Sequence, residues 1–109
     1  MEGIITLEAC IKNESDPRPG QRLMPHRNII AHGHDRVTEV FLRVNLFSME
    51  YEVGTWIGAT DSTYMASAKI GISDFGKWIH LAGVFDGASW RLYRNGHLVG
   101  DACVCVIIA

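Results

Sequence analysis

Along most of the chain, apolar and polar residues alternate with a period of two in short runs, and residues that favour turns separate the runs. Such regular short spacing predicts strands folded into a sandwich or barrel. Ile5, Leu7, Ala9 and Ile11 alternate with Thr6, Glu8, Cys10 and Lys12, which predicts a strand with one wet face. The stretch from Asn13 to Gly20 holds Asn, Glu, Ser, Asp, two Pro and Gly, and reads as a loop. A short strand follows around Ile29-Ile30-Ala31, from Asn28 to His32, then a turn at Gly33-His34-Asp35-Arg36. Val40, Leu42, Val44 and Leu46 alternate with Glu39, Phe41, Arg43 and Asn45, and β-branched residues are frequent there. Further strands are predicted over Tyr51–Ile57 and Tyr64–Ile70, with a loop over Gly58–Ser62 between them.

The last third is the most ordered in pattern. Trp78–Phe85, Trp90–Arg94 and His97–Val99 are apolar runs separated by Asp86-Gly87 and Asn95-Gly96. Asp-Gly and Asn-Gly supply the positive φ angles of tight hairpin turns. The three runs therefore predict an antiparallel meander. No amphipathic helix and no long internal repeat is evident. Periodicity and turns alone give an all-β fold, open between a sandwich and a barrel.

Composition narrows the class further. The chain has 109 residues, so a single domain over 1–109 is expected, with 48% hydrophobic residues to build its core. Ten Lys and Arg stand against twelve Asp and Glu, a net charge of −2 without a basic run, so no nucleic-acid partner is expected. The longest apolar run, Ala102 to Ala109, falls well short of the ~20 residues of a membrane helix, and no membrane insertion is expected. The start carries no pattern of a secretory signal, and the compartment stays open. Of three cysteines, Cys103 and Cys105 alternate onto one face and Cys10 lies near the other end. Buried free thiols are the expectation. A bridge from Cys10 to Cys103 or Cys105 requires the first and last strands to pair.

The segment Gly76-Lys77-Trp78-Ile79-His80-Leu81-Ala82-Gly83-Val84-Phe85-Asp86-Gly87 resembles the G-x-W-x-H-[VL]-A-x-x-[YF]-D-G signature of laminin-G-like jelly rolls in the concanavalin A-like lectin/glucanase superfamily. Trp90-Arg91-Leu92-Tyr93-Arg94-Asn95-Gly96 continues it in register as L-Y-x-N-G. Ile5-Thr6-Leu7-Glu8-Ala9 is similar to the family's opening strand, and Ile29-Ile30-Ala31-His32-Gly33 to the next one. Two departures stand out: Cys10 occupies the place of the family's Trp, and residues 101–109 do not follow the family pattern. The resemblance implies an antiparallel two-sheet sandwich (jelly roll), which the departing tail leaves either incomplete or closed by a substituted final strand. The apolar Cys103–Ala109 segment should pair with the first strand or with another chain. In the signature, Leu81 and Phe85 would face one way and Trp78, His80, Ala82 and Val84 the other, both sides largely buried, with His80 in the core or bonded to backbone. Gly83 would admit a neighbouring backbone, and Tyr93 would bury its ring with a paired hydroxyl.

The resemblance implies a non-catalytic, lectin-like module that binds a glycan or a protein in a secreted or cell-surface context. Glucanase relatives carry E-x-D-x-x-E, whose alternation puts carboxylates into one cleft. Here Glu50-Tyr51-Glu52 lacks the central Asp and the third carboxylate, so no enzyme activity is expected and a glucanase remnant is the remote alternative. A carbohydrate site needs an aromatic platform ringed by polar groups. Glu39, Phe41, Arg43 and Asn45 share a face, and Trp56 with Asp61 would complete a site. The competing expectation places Phe41 and Trp56 in a second core layer. His32-Gly33-His34-Asp35 reads as a polar turn ahead of a zinc site, lacking further ligands at matching spacing. The family also leaves Ca²⁺ open through Asp35, Asp61, Asp74, Asp86 and Asp101, all in expected loops, where Asp also simply favours turns. Asn13-Glu14-Ser15 is a glycosylation sequon. A homodimer through the terminal strand is the structural alternative to ligand binding.

Overall fold

In a computed structural model of the chain, residues 4–14, 26–34 and 38–103 are described. They form eight strands: β1 Ile5–Lys12, β2 His26–His34, β3 Thr38–Asn45, β4 Glu50–Ile57, β5 Ser62–Lys69, β6 Trp78–Phe85, β7 Ser89–Arg94 and β8 His97–Cys103. A short 3₁₀ turn, η1, spans Ile72–Asp74. No α-helix occurs among the described residues. Two antiparallel four-stranded sheets stack face to face. One has the order β1-β6-β7-β8, and the other is the meander β2-β3-β4-β5. The all-β two-sheet expectation holds.

Alternation sets the layers. Along β1, half-buried Ile5, Leu7, Ala9 and Ile11 face inward and exposed Thr6, Glu8, Cys10 and Lys12 face out. The core joins Val40, Leu42 and Val44 of β3, Tyr51 and Val53 of β4, Ile79, Leu81 and Phe85 of β6, and Trp90 and Leu92 of β7. Each central residue leaves water almost wholly, which stabilises by ~1.5–3 kcal/mol per large side chain. Gly83 faces this core from β6, and a Cβ there would overlap the methyl groups of Val53 on the opposite sheet. Trp90 is fully buried, packs its ring 5.2 Å from that of Phe85, and donates its indole N–H to Thr55 Oγ1 across the sandwich at 2.7 Å.

The two hairpins form where the sequence places them. Asn95 and Gly96 have φ of 50° and 82°, the left-handed pair of a two-residue hairpin loop. Asn95 also ties back to β6: its side chain accepts from His80 N at 2.9 Å, and its N–H donates to His80 O at 2.8 Å. At the other hairpin, the Asp86 carboxylate accepts from Ala88 N and Ser89 N, both at 2.9 Å. These bonds hold that carboxyl below its usual range.

Several expectations need correction. His32-Gly33-His34 ends β2 and is no turn, because these residues pair with Val40, Glu39 and Thr38; residues 35–37 lie outside the described ones. The last strand continues through Asp101, Ala102 and Cys103, which pair with Arg91, Trp90 and Ser89. It therefore lies beside β7, three strand spacings or ~14 Å from β1, and the pairing that a Cys10–Cys103 bridge requires does not form. Cys10 is a free and exposed thiol, so the expected burial fails there; residues 104–109 lie outside the described ones. The outer face of β6 is only half covered: Trp78 is 69% exposed, and His80 turns its ring toward Glu8 at 4.0 Å. No second layer packs on that side among the described residues, so neither Trp78 nor His80 joins the core. The buried tyrosine with a paired hydroxyl is Tyr51, whereas Tyr93 is half-buried.

Candidate functional site

The outer face of the β2–β5 sheet carries the densest polar chemistry. Register arranges it in four rows across the strands: Gly33-Glu39-Trp56-Thr63, Ala31-Phe41-Gly54-Met65, Asn28-Arg43-Glu52-Ser67, and Asn45-Glu50-Lys69. Directly opposed residues share a face, so five of the six candidate residues (Glu39, Phe41, Arg43, Asn45 and Trp56) lie on one surface. Asp61, the sixth, follows β4 in the 58–61 loop with φ of 49°. It reaches back to accept from Trp56 Nε1 at 2.9 Å.

The six divide into two groups. In the middle rows Phe41 is only 1% exposed, although it lies on the outer side and not in the core between the sheets. Its cover is Arg43, whose guanidinium carbon lies 4.0 Å from the ring centroid, a cation–π contact. Arg43 is fixed in turn by Glu52: Nε donates to Oε1 at 2.7 Å, while its Nη2 lies 3.8 Å from Met65 Sδ. Asn45 Nδ2 donates to the other oxygen, Glu52 Oε2, at 3.3 Å. Glu52 itself is 1% exposed. A buried carboxylate needs such partners, since stripping either side from the pair leaves a charge without water. Phe41, Arg43, Asn45 and Glu52 thus form one linked network.

The end row is open. Glu39 and Trp56 are half-buried, Thr63 and Asp61 exposed. The indole ring is held by its N–H bond to Asp61, and Glu39 stands directly opposite it on β3. An apolar ring face flanked by acceptors and hydroxyls can stack on the C–H face of a sugar ring and take up its hydroxyl protons.

The remaining candidates have structural partners. The Asp74 carboxylate, buried, accepts from Tyr51 Oη at 2.8 Å, from Arg94 Nε at 3.0 Å, and from Arg94 Nη2. The Arg94 bonds, ahead of the other influences, hold the Asp74 carboxyl below its ordinary range, and burial followed by Asp74 pushes the Tyr51 phenol up. Asp86 serves its turn and pairs with Arg91 at 3.2 Å, and Asp101 is an exposed β8 residue rather than a loop ligand. Asp35 lies outside the described residues. Among the described residues no group of three or more His, Cys, Asp or Glu could hold a metal ion. Glu50 opposes Asn45 and Lys69, and Asn13 gives its carbonyl to Gly76 N at 2.9 Å; Ser15 of the sequon lies outside the described residues. Sequence reasoning missed Glu52 as the anchor of the middle rows. Its period-two relation to Glu50 was visible, but its pairing with Arg43 depends on the β3–β4 register.

Comparison with known families adds one finding. The family model described as concanavalin A-like lectin/glucanases superfamily, of laminin G type, matches residues 2–104. No curated protein and no solved structure matches the chain.

Proposed function

Because the chain belongs to the laminin-G-like branch of the concanavalin A-like lectin/glucanase superfamily, we propose that it is a non-catalytic recognition module whose ligand is a carbohydrate. The observation that carries this reading is the open end row, where Trp56 is fixed by Asp61 beside Glu39. In this reading Trp56 stacks on a sugar ring, Asp61 and Glu39 accept hydroxyl protons, and Phe41, Arg43 and Asn45 support the floor. The non-catalytic part is supported by Glu52: the carboxylate nearest to the glucanase pattern is tied to Arg43 and Asn45 beneath the surface. Screening the purified chain on a glycan array, then titrating hits by calorimetry, tests the proposal. Trp56→Ala should weaken any hit by roughly tenfold or more, in line with loss of an aromatic anchor. A wild-type chain that binds no glycan, or hits indifferent to both Trp56→Ala and Asp61→Asn, would reject the site, and selective protein capture in their place would move the ligand to a protein surface.

A second reading, self-assembly, is favoured by one observation. Among the described residues β8 is an outer edge, with Leu98 53% and Val99 39% exposed. A sheet edge left unpaired recruits further strands. A monomeric mass by light scattering at high concentration would exclude it.

A further inference from the structure

The end of the sandwich that carries the β3–β4 turn and η1 displays three large apolar side chains. Phe47 is 65% exposed, Ile72 77% and Trp78 69%. Isolated exposed apolar residues are ordinary, but these three share one end, on backbone that is held in place. In the Phe47 turn, the Asn45 side chain accepts from Phe47 N at 3.0 Å and from Ser48 N at 3.1 Å, and Met49 takes a left-handed φ of 59°. The turn is bonded to the next segment through Ile70 N to Met49 O at 2.8 Å, two residues before Ile72. The η1 turn is anchored in its turn by Asp74, buried against Tyr51 and Arg94. Trp78 opens β6 opposite Lys12, and Lys12 lines a cavity of about 150 Å³ together with Leu46, the residue before Phe47.

Lysines punctuate this apolar surface. Lys69 donates to Ser48 O at 3.2 Å within the Phe47 turn, and Lys77 directly precedes Trp78. Among the described residues of this end each acid faces a cation: Glu14 meets Lys12 at 3.2 Å, Glu50 lies opposite Lys69, and Asp74 is buried on Arg94. Among those residues Lys77 is the cation left over.

We propose that this end docks on an anionic lipid surface, with Phe47 and Ile72 entering the headgroup boundary and Trp78 lying at its edge. Rigid apolar tips interleaved with lysines suit a membrane interface, where acyl chains accept the tips and anionic headgroups the ammonium groups. Tryptophan favours that depth because its ring is apolar and its N–H stays hydrated. The docking is shallow adsorption; no helix among the described residues is long and apolar enough to cross a membrane. It uses a different surface from the Trp56–Asp61 row, so it stands or falls independently of the carbohydrate proposal.

The test is vesicle flotation with phosphatidylcholine alone and with phosphatidylcholine containing phosphatidylserine. Lipid is taken to about 1 mM, where an anchor of roughly 10⁴ M⁻¹ is already mostly bound. The wild-type chain should float with the mixed vesicles, and brominated acyl chains should quench its exposed tryptophan fluorescence. Phe47→Ser with Ile72→Ser should cut binding about tenfold or more, the change expected from losing two apolar tips. Lys77→Glu should weaken binding to the mixed vesicles and leave the residual binding to neutral ones unchanged. An unchanged melting temperature shows that the variants are folded, and a Phe47→Ala, Ile72→Ala pair gives the same reading should the serines unfold the chain. No flotation of the wild type, or flotation indifferent to the tip substitutions, overturns the proposal. So does a protein partner that is lost with the tips while vesicles are ignored.

Discussion

Replacing Asp74 should remove the clasp that joins the two sheets and should change how stability depends on pH. Asp74 lies in η1, Tyr51 on the β2–β5 sheet and Arg94 on the β1-β6-β7-β8 sheet, and the carboxylate bonds to both partners. Breaking a fully buried ion pair costs about 3–5 kcal/mol. The Arg94 side chain stays 33% exposed, against 5% for Asp74, so water takes over part of its solvation and about 2–3 kcal/mol is expected for Asp74→Ala. Asp74→Asn should cost less, since its amide oxygen can still accept the Tyr51 proton but not the whole guanidinium fork. Against a total of ~5–15 kcal/mol this is a large share, visible as a urea midpoint lower by roughly 1–2 M. The signs of the pH limbs follow from the two shifts. The Asp74 pKa is lowered on folding, so its contribution is present above the unfolded carboxyl pKa near 4 and is lost as pH falls through the lower folded value. The Tyr51 pKa is raised on folding, so its contribution is complete below the unfolded phenol pKa of about 10 and is lost as pH rises beyond it. Stability measured by urea titration across pH should show a plateau between these limbs. Asp74→Asn should flatten the acid limb and Tyr51→Phe the alkaline one. An Asp74→Ala cost below about 0.5 kcal/mol, or acid limbs that run parallel in wild type and Asp74→Asn, would refute the clasp.

Three further outcomes follow from the core and the turns. Gly83→Ala should destabilise by about 1–3 kcal/mol or more through overlap with Val53, and pairing it with Val53→Ala should recover part of that loss; chemical denaturation of the single and double variants checks this. Trp90→Phe should cost about 2–4 kcal/mol, from lost burial and from the Thr55 hydroxyl left without its 2.7 Å donor, whereas a further Thr55→Val should cost little more, as thermal melts would show. Asn95→Ala should cost roughly 1–2 kcal/mol, since it places a Cβ-bearing residue without a local acceptor at a φ of 50° and frees His80 N; amide exchange should report the loss first at the β7–β8 hairpin.

The sandwich was legible because its determinants are local. Period-two alternation, Asp86-Gly87 and Asn95-Gly96 each act within a few residues, and each yields its strand or turn in the structure. Gly83 was legible as a close approach, although its neighbour is a side chain of the opposite sheet and not backbone. The exposure of Trp78 was not legible, because alternation fixes which residues share a face without telling what covers that face. The same holds for His32-Gly33-His34, where polar residues and a glycine imitate a turn but the β3 partners draw them into a strand. The position of β8 opposite β1 is a matter of topology, and no short-range signal in residues 97–109 carries it.

The candidate site shows the same division at the level of single side chains. Alternation put Glu39, Phe41, Arg43 and Asn45 on one face, and that grouping is correct. What alternation could not supply was Glu52, which enters the face from β4 and draws Arg43 down over Phe41. Without that carboxylate, Arg43 and Phe41 would read as a charged group and a ring open to ligand. With it, the arginine's charge is met and the ring is covered, so the middle of the sheet becomes a floor. The burial of Glu52 is affordable because Arg43 and Asn45 satisfy it from the adjacent strand. In the row of Trp56, by contrast, a half-buried ring held by Asp61 and faced by Glu39 still meets water.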